Sequence, residues 1–145
     1  MTVKPVPDGY RTLTPCLVVD GVARFLDFLQ KAFDAVVVER VDGDGGKVRH
    51  AEVRIGDSML MMGDAMPQWP AAPGSLYMYV PDCDAVFRRA VDAGATVLVP
   101  PTNHFYGDRN GGVKDPFGNT WWIATHVEDV PKDELLRRAA AGGKG

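Results

Sequence analysis

An internal duplication constrains this chain more than any other feature. Leu17-Val18-Val19-Asp20-Gly21 leads into an amphipathic stretch starting at Val22 and then into Val36-Val37-Val38. About sixty positions later, Met78-Tyr79-Val80-Pro81-Asp82 leads into a second such stretch from Cys83, then Gly94-Ala95, then Val97-Leu98-Val99. Val22, Phe25, Leu26, Leu29 and Phe33 fall in register with Cys83, Val86, Phe87, Ala90 and Gly94. Both sets follow an i, i+3, i+4, i+7, i+11 stripe, the spacing of one helical face. Each copy therefore predicts strand, helix, strand, followed by further strand-like stretches.

The punctuation fills in the remainder. Residues up to about Tyr10 form a proline-marked arm. The first copy predicts a strand over 14–19, a helix over 22–33 and a strand over 36–41. Asp42-Gly43-Asp44-Gly45-Gly46 is then a hairpin turn, since glycine tolerates the positive φ that such turns need. Strands over 47–55 and 58–62 flank Gly56-Asp57, and 63–74 is a linker carrying Pro67, Pro70 and Pro73. The second copy predicts a strand over 75–80, a helix over 83–93 and a strand over 96–99. A loop over 100–107 leads to a strand over 112–114, the turn Asp115-Pro116-Phe117-Gly118-Asn119 and a last strand over 120–125. Pro131 and Gly142 bracket a C-terminal helix with Glu134 and Arg138 at i, i+4. The expected organisation is a single α+β domain spanning 1–145, made of module 1 (about 11–63), module 2 (about 74–127) and a helix (about 131–141).

Composition excludes several classes of function. With 145 residues, 46% of them hydrophobic, the chain can bury a core, and its net charge of −3 comes from interspersed acids and bases. No basic stripe points to nucleic acid, and no apolar run reaches membrane-spanning length. Two cysteines, Cys16 and Cys83, make no disulfide framework, so a reduced, cytoplasmic setting is expected.

Strand alternation separates core from binding surface. Leu17 and Val19, Val53 and Ile55, Met78 and Val80, Trp121 and Ile123 form an apolar set for the face beneath the helices. The opposite parity collects Thr14, Cys16 and Val18; Val48, His50 and Glu52; Ser75, Tyr77 and Tyr79; Thr120 and Trp122, with Arg54 at the rim. This mixture of polar, ionisable and aromatic groups suits the wall of a ligand cleft.

The duplicated strand-helix-strand-strand-strand unit, with Asp115-Pro116-Phe117-Gly118-Asn119 before the last strand, resembles the vicinal oxygen chelate superfamily of glyoxalases, bleomycin-resistance proteins and dioxygenases. Four stretches resemble its PhnB-like branch: residues 14–19, His50-Ala51-Glu52-Val53-Arg54-Ile55-Gly56-Asp57, Phe105-Tyr106-Gly107-Asp108-Arg109, and Trp122-Ile123-Ala124-Thr125-His126. The resemblance covers nearly the whole chain. It implies two βαβββ modules forming curved, barrel-like mixed sheets around a cleft, and it implies a homodimer or paired modules.

Metal enzymes of that superfamily carry one ligand on each of four strands. The resemblance places those positions at Thr14, Glu52, Ser75 and Trp122, of which only Glu52 has the expected chemistry. Thr, Ser and Trp do not replace imidazole and carboxylate, so no metal or other cofactor is expected. A divalent ion held in an unusual way, near His50, Glu52 and Cys16, is the alternative.

The candidate ligand-binding residues are Cys16, His50, Glu52, Tyr77, Tyr79, Tyr106, Arg109 and Trp122, with His50 and Glu52 the candidates for acid–base catalysis. Each also has a purely structural reading. His50 and Glu52 satisfy each other, Arg109 pins its loop by pairing with an acid such as Asp108 or Asp115, Tyr79 and Trp122 fill space, and Cys16 is an inert small side chain. Three functions remain open: a metal-independent binding protein for a small molecule, an enzyme using His50 and Glu52 or a non-standard metal site, and a drug-sequestering resistance protein. Expected partners are a small-molecule ligand and a second copy of the chain, with no nucleic acid and no membrane.

Overall fold

The structure is a computed structural model that describes residues 2–142. The chain divides into two compact units, Met1–Gly74 and Ser75–Gly145, each built as strand, helix and three further strands.

In the first unit, β1 (Cys16–Val19), α1 (Val22–Phe33), β2 (Val36–Asp42), β3 (Val48–Ile55) and β4 (Ser58–Asp64) form a four-stranded sheet in the order β1-β4-β3-β2. β1 runs parallel to β4 because the helix carries the chain across the sheet, and the remaining pairs are antiparallel. The apolar stripe decides how α1 packs. Val22, Phe25, Leu26, Phe28, Leu29, Ala32 and Phe33 are all buried, as are Leu17, Val19, Ala51, Val53, Leu60 and Met62 of the sheet. Each large apolar side chain buried in this way contributes ~1.5–3 kcal/mol. α1 ends at Asp34, which adopts a left-handed φ of 55°.

The start of α1 is capped from a distance. Asp64 Oδ1 accepts the N–H groups of Gly21 (2.9 Å) and Val22 (3.1 Å), and Asp64 Oδ2 accepts that of Val48 (2.7 Å). The segment expected as a linker therefore begins two residues late, since 63 and 64 complete β4. Val48 needs a second correction. It was grouped with His50 and Glu52, yet it is fully buried. Val41 pairs with His50 while Asp42 pairs with Val48, so Arg49 is an extra residue in β3. A bulge of one residue reverses the alternation before it.

In the second unit, β5 (Ser75–Tyr79), α2 (Cys83–Asp92), β6 (Thr96–Asn103), β7 (Asp108–Lys114) and β8 (Thr120–His126) form a sheet in the order β5-β8-β7-β6, followed by α3 (Lys132–Ala140). α2 starts at Asp82, whose side chain accepts from Ala85 N at 3.2 Å. Thr125 Oγ1 accepts from Cys83 N at 2.9 Å, the place that Asp64 takes in the first unit. α2 is the thinner cover: only Cys83 and Ala90 are buried.

Two strands are longer than the sequence suggested. β6 continues through Pro100 and Pro101 to Asn103, because it is an edge strand with register shifts on either side of Val99. β7 begins at Asp108 instead of Gly112. Pairing on both sides with β6 and β8 overrides the weak strand propensity of Asp108-Arg109-Asn110-Gly111-Gly112. The two glycines admit rings from opposite faces. A Cβ on Gly111 would lie 2.7 Å from the Phe87 ring, and one on Gly112 would lie 2.5 Å from Trp122.

The parity of the last strand holds. Trp121 is buried and donates its indole N–H to Asp115 Oδ2 at 2.8 Å, while Trp122 is partly exposed and pairs in register with Gly112. Asp115 Oδ1 also accepts from the N–H groups of Phe117 (2.9 Å) and Asn119 (3.0 Å), which makes this turn a structural device. Neither sheet closes into a barrel. Among the described residues no helix is long and apolar enough to cross a membrane.

Candidate functional site

The open face of the second unit carries a connected polar and aromatic network. Strand register puts Tyr77 and Tyr79 of β5, Asp108, Asn110 and Gly112 of β7, and Trp122 and His126 of β8 on one face. Tyr77 Oη and Tyr79 Oη both donate to Asp108 Oδ2, at 2.6 and 2.9 Å. The other carboxylate oxygen meets His126 Nδ1 at 2.8 Å, and His126 Nε2 meets Asp129 at 2.7 Å. Asn110 Nδ2 donates to Tyr77 Oη at 3.0 Å and to Tyr106 Oη at 2.8 Å. Its oxygen lies 2.9 Å from His104 Nε2, and the His104 and Tyr106 rings stack with an interplanar angle of 4°. His104 Nδ1 is buried with no hydrogen-bond partner among the described residues.

The charges follow from this wiring. Burial pushes the Asp108 carboxyl up, but hydrogen bonds from Tyr77, His126 and Tyr79 outweigh it and hold the group below its ordinary range. Burial and the Asp108 bond push the Tyr77 phenol up, and the Asp108 bond does the same for Tyr79. Hydrogen bonds to Asp108 and Asp129 raise His126. The face is thus preorganised around one buried carboxylate, at 4% exposure, with Tyr77 and Tyr79 still 45% and 64% exposed.

Arg109 does not join this face. Odd positions of β7 turn toward α2, where Arg109 Nε and Nη2 donate to the two carboxylate oxygens of Asp84 at 2.8 and 2.9 Å. The residue pairs with an acid, as its structural reading had it, but the acid lies on the helix rather than at Asp108 or Asp115.

The first unit has a separate groove of about 430 Å³. Its lining includes Pro5, Pro7, Tyr10 and Arg11 of the N-terminal arm together with Thr14, Glu39, Glu52 and Met61. His50 Nε2 sits 2.7 Å from Glu52 Oε2, so these two candidate catalytic groups satisfy each other. Cys16 is exposed and pairs in register with Met61.

Strand register also corrects the carried-over metal positions. Tyr77 pairs with Trp122 across the parallel strands β5 and β8, and Cys16 pairs with Met61 across β1 and β4. The duplication relates Cys16 to Tyr77, so the first-unit counterpart of Trp122 is Met61. Glu52 lies one strand over, opposite Met61. The positions become Thr14 and Met61 in the first unit and Ser75 and Trp122 in the second, and neither pair offers the imidazole or carboxylate that a divalent ion takes. Among the described residues no three His, Cys, Asp or Glu side chains are grouped to hold a metal.

Sequence reasoning missed His104, Asp108, Asn110 and His126. The signal was present in the two quoted motifs containing Asp108 and His126. Reading residues 108–111 as loop hid the alternation that separates Asp108 and Asn110 from Arg109.

Comparison with known proteins agrees with this architecture. The profile of the Glyoxalase/Bleomycin resistance protein/Dioxygenase superfamily matches residues 11–123. An uncharacterized protein of Mycobacterium bovis is 40% identical over 144 residues, covering 92% of this chain and 95% of its own. Among solved structures, the PhnB protein from Bacillus cereus superposes with a TM-score of 0.64 at 20% identity, over 79% of this chain and 99% of that one. TnmS3, an antibiotic binding protein from Streptomyces, superposes with a TM-score of 0.64 at 22% identity, over 87% of this chain and 98% of that one.

Proposed function

The chain belongs to the Glyoxalase/Bleomycin resistance protein/Dioxygenase superfamily, and from that premise we propose that it is a metal-independent binding protein for a small, mostly planar organic molecule. The observation that carries this reading is the open face of the second unit. The exposed rings of Tyr77 and Tyr79 and the partly exposed Trp122 share this face with directional polar groups that are already fixed by Asp108 and Asn110. Flat apolar surface with a few preorganised polar atoms is the general make-up of a small-molecule site. Neither Thr14 and Met61 nor Ser75 and Trp122 supply imidazole or carboxylate, which favours binding over metal-assisted chemistry. Arg109, tied to Asp84, gives no anion clamp on this face. Likeness in fold to an antibiotic binding protein supports the drug-sequestering variant of the same reading.

The test is a panel of planar aromatic compounds, followed by calorimetry on protein stripped with a chelator and on protein as purified. Equal affinity in the two preparations is expected, with Trp122→Ala weakening binding by about 1–3 kcal/mol through lost burial and stacking. A tightly held ion that binding requires would overturn the metal-free reading. Self-association belongs to the same proposal. β2 is an edge strand with Val36, Val38 and Val41 exposed, and edge strands of this kind pair readily. Sedimentation equilibrium is expected to give a dimer, and a monomer at high concentration would remove that part.

A further inference from the structure

Resting on the site assigned above to the second unit, we propose that its ligand is a protonated amine, an aromatic ammonium seated over Tyr77 and Tyr79. Proton accounting carries the inference. A phenol has one proton to donate and two lone pairs to accept with. Tyr77 and Tyr79 both spend their proton on Asp108 Oδ2, at 2.6 and 2.9 Å. Asn110 then occupies one Tyr77 lone pair at 3.0 Å. Tyr79 can offer a ligand only acceptors, and Tyr77 one lone pair. Whatever meets these two oxygens must donate. Tyr106 is the exception: its hydroxyl accepts from Asn110 and keeps its own proton, which suits an acceptor elsewhere on the ligand.

Charge points the same way. Asp108 lies beneath the two phenols, and Asp129 lies 2.7 Å from the outer nitrogen of His126. Two carboxylates against one imidazole leave the region negative whether or not His126 is protonated. Among the described residues the nearby basic side chains are already paired: Arg138 is held by Glu128 and Glu134. Arg109 is turned to Asp84, and Lys114 lies six residues from Asp108 along β7, about 20 Å at the usual strand rise. The rings add their own preference. Tyr77 and Tyr79 stand edge to face at 5.4 Å, 45% and 64% exposed, and the electron-rich face of a phenol attracts a cation. A carboxylate ligand would meet lone pairs and a buried anion.

The experiment titrates the full chain with benzylamine, benzyltrimethylammonium, benzyl alcohol and benzoate at neutral pH, following heat and the ring resonances of Tyr79 and His126. Benzylamine is expected to bind about tenfold tighter than benzyl alcohol, and benzoate not measurably. Tyr79→Phe keeps the ring and removes the acceptor, so it should weaken benzylamine several-fold while leaving benzyltrimethylammonium nearly unchanged. Asp108→Asn should erase the preference for cations. If that variant fails to fold, Tyr79→Phe alone decides, since Tyr79 lies at the surface. Benzoate or benzyl alcohol matching benzylamine would overturn the ammonium inference and leave the binding reading standing. No shift at Tyr79 or His126 with any of the four compounds, nor with the planar panel, would overturn both.

Discussion

Single residues carry much of the order in this chain, and most of them are acids bonded to groups remote in sequence. Asp64 is the plainest case, because three backbone N–H groups from two distant segments converge on it. Asp64→Ala leaves those donors unsatisfied and is expected to cost about 2–3 kcal/mol in urea unfolding. Burial pushes the Asp64 carboxyl up, but the bonds from Val48, Gly21 and Val22 bring it below 3.8, and Asp108 is lowered too. Lowered carboxyls contribute stability that is complete above the unfolded value and lost as pH falls through the folded one. His126 has the opposite sign. Its raised value contributes stability that is full below 6.5 and lost as pH rises through the folded value. Urea midpoints against pH should therefore fall on the acid side below 3.8 and decline gently above 6.5. His126→Gln should abolish the second slope and make the first shallower, because His126 also holds Asp108 down. Gly112 is a packing residue of the site itself. A Cβ there would lie 2.5 Å from the Trp122 ring, so Gly112→Ala is expected to displace that ring and weaken ligand binding. An unchanged far-ultraviolet dichroism spectrum would separate this from unfolding.

At the scale of elements, α3 acts as a buttress for the loop that carries His104 and Tyr106. Arg138 donates to Phe105 O at 3.0 Å, to both oxygens of Glu128 at 2.9 and 2.8 Å, and to Glu134 at 2.9 Å. The ion pairs in this set are screened by solvent and contribute little to global stability. Arg138→Ala should therefore barely change global stability while speeding amide exchange over residues 104–107. Exchange that is unchanged there would mean the loop is held by its own strand ends. The pair of Arg109 with Asp84 has the same modest character. Arg109→Ala should leave ligand affinity unaltered, and a selective loss of acidic ligands would show that the guanidinium reaches the open face.

For the molecule as a whole, the two units share a plan and differ in how well their helices are covered. α1 buries seven residues, whereas α2 buries Cys83 and Ala90. Local stability follows the amount of apolar packing. Native-state hydrogen exchange is expected to be slower in α1 and its strands than in α2, and equal protection in both would contradict this.

Periodicity by itself determined the larger part of this architecture. The duplicated stripe placed α1 over Val22–Phe33 without error, and strand parity placed Trp121 inside and Trp122 on the open face. Those features depend on which side of one element is apolar, a property that a local window contains. Tertiary structure alone decided the others. Arg49 as a bulge, Met61 as the counterpart of Trp122, β7 from Asp108 onward and Arg109 bound to Asp84 all depend on what the neighbouring strand or helix supplies. The network around Asp108 is the clearest instance. Its members come from β5, the loop after β6, β7, β8 and the segment beyond, and a hydrogen bond between residues 31 positions apart has no period to announce it.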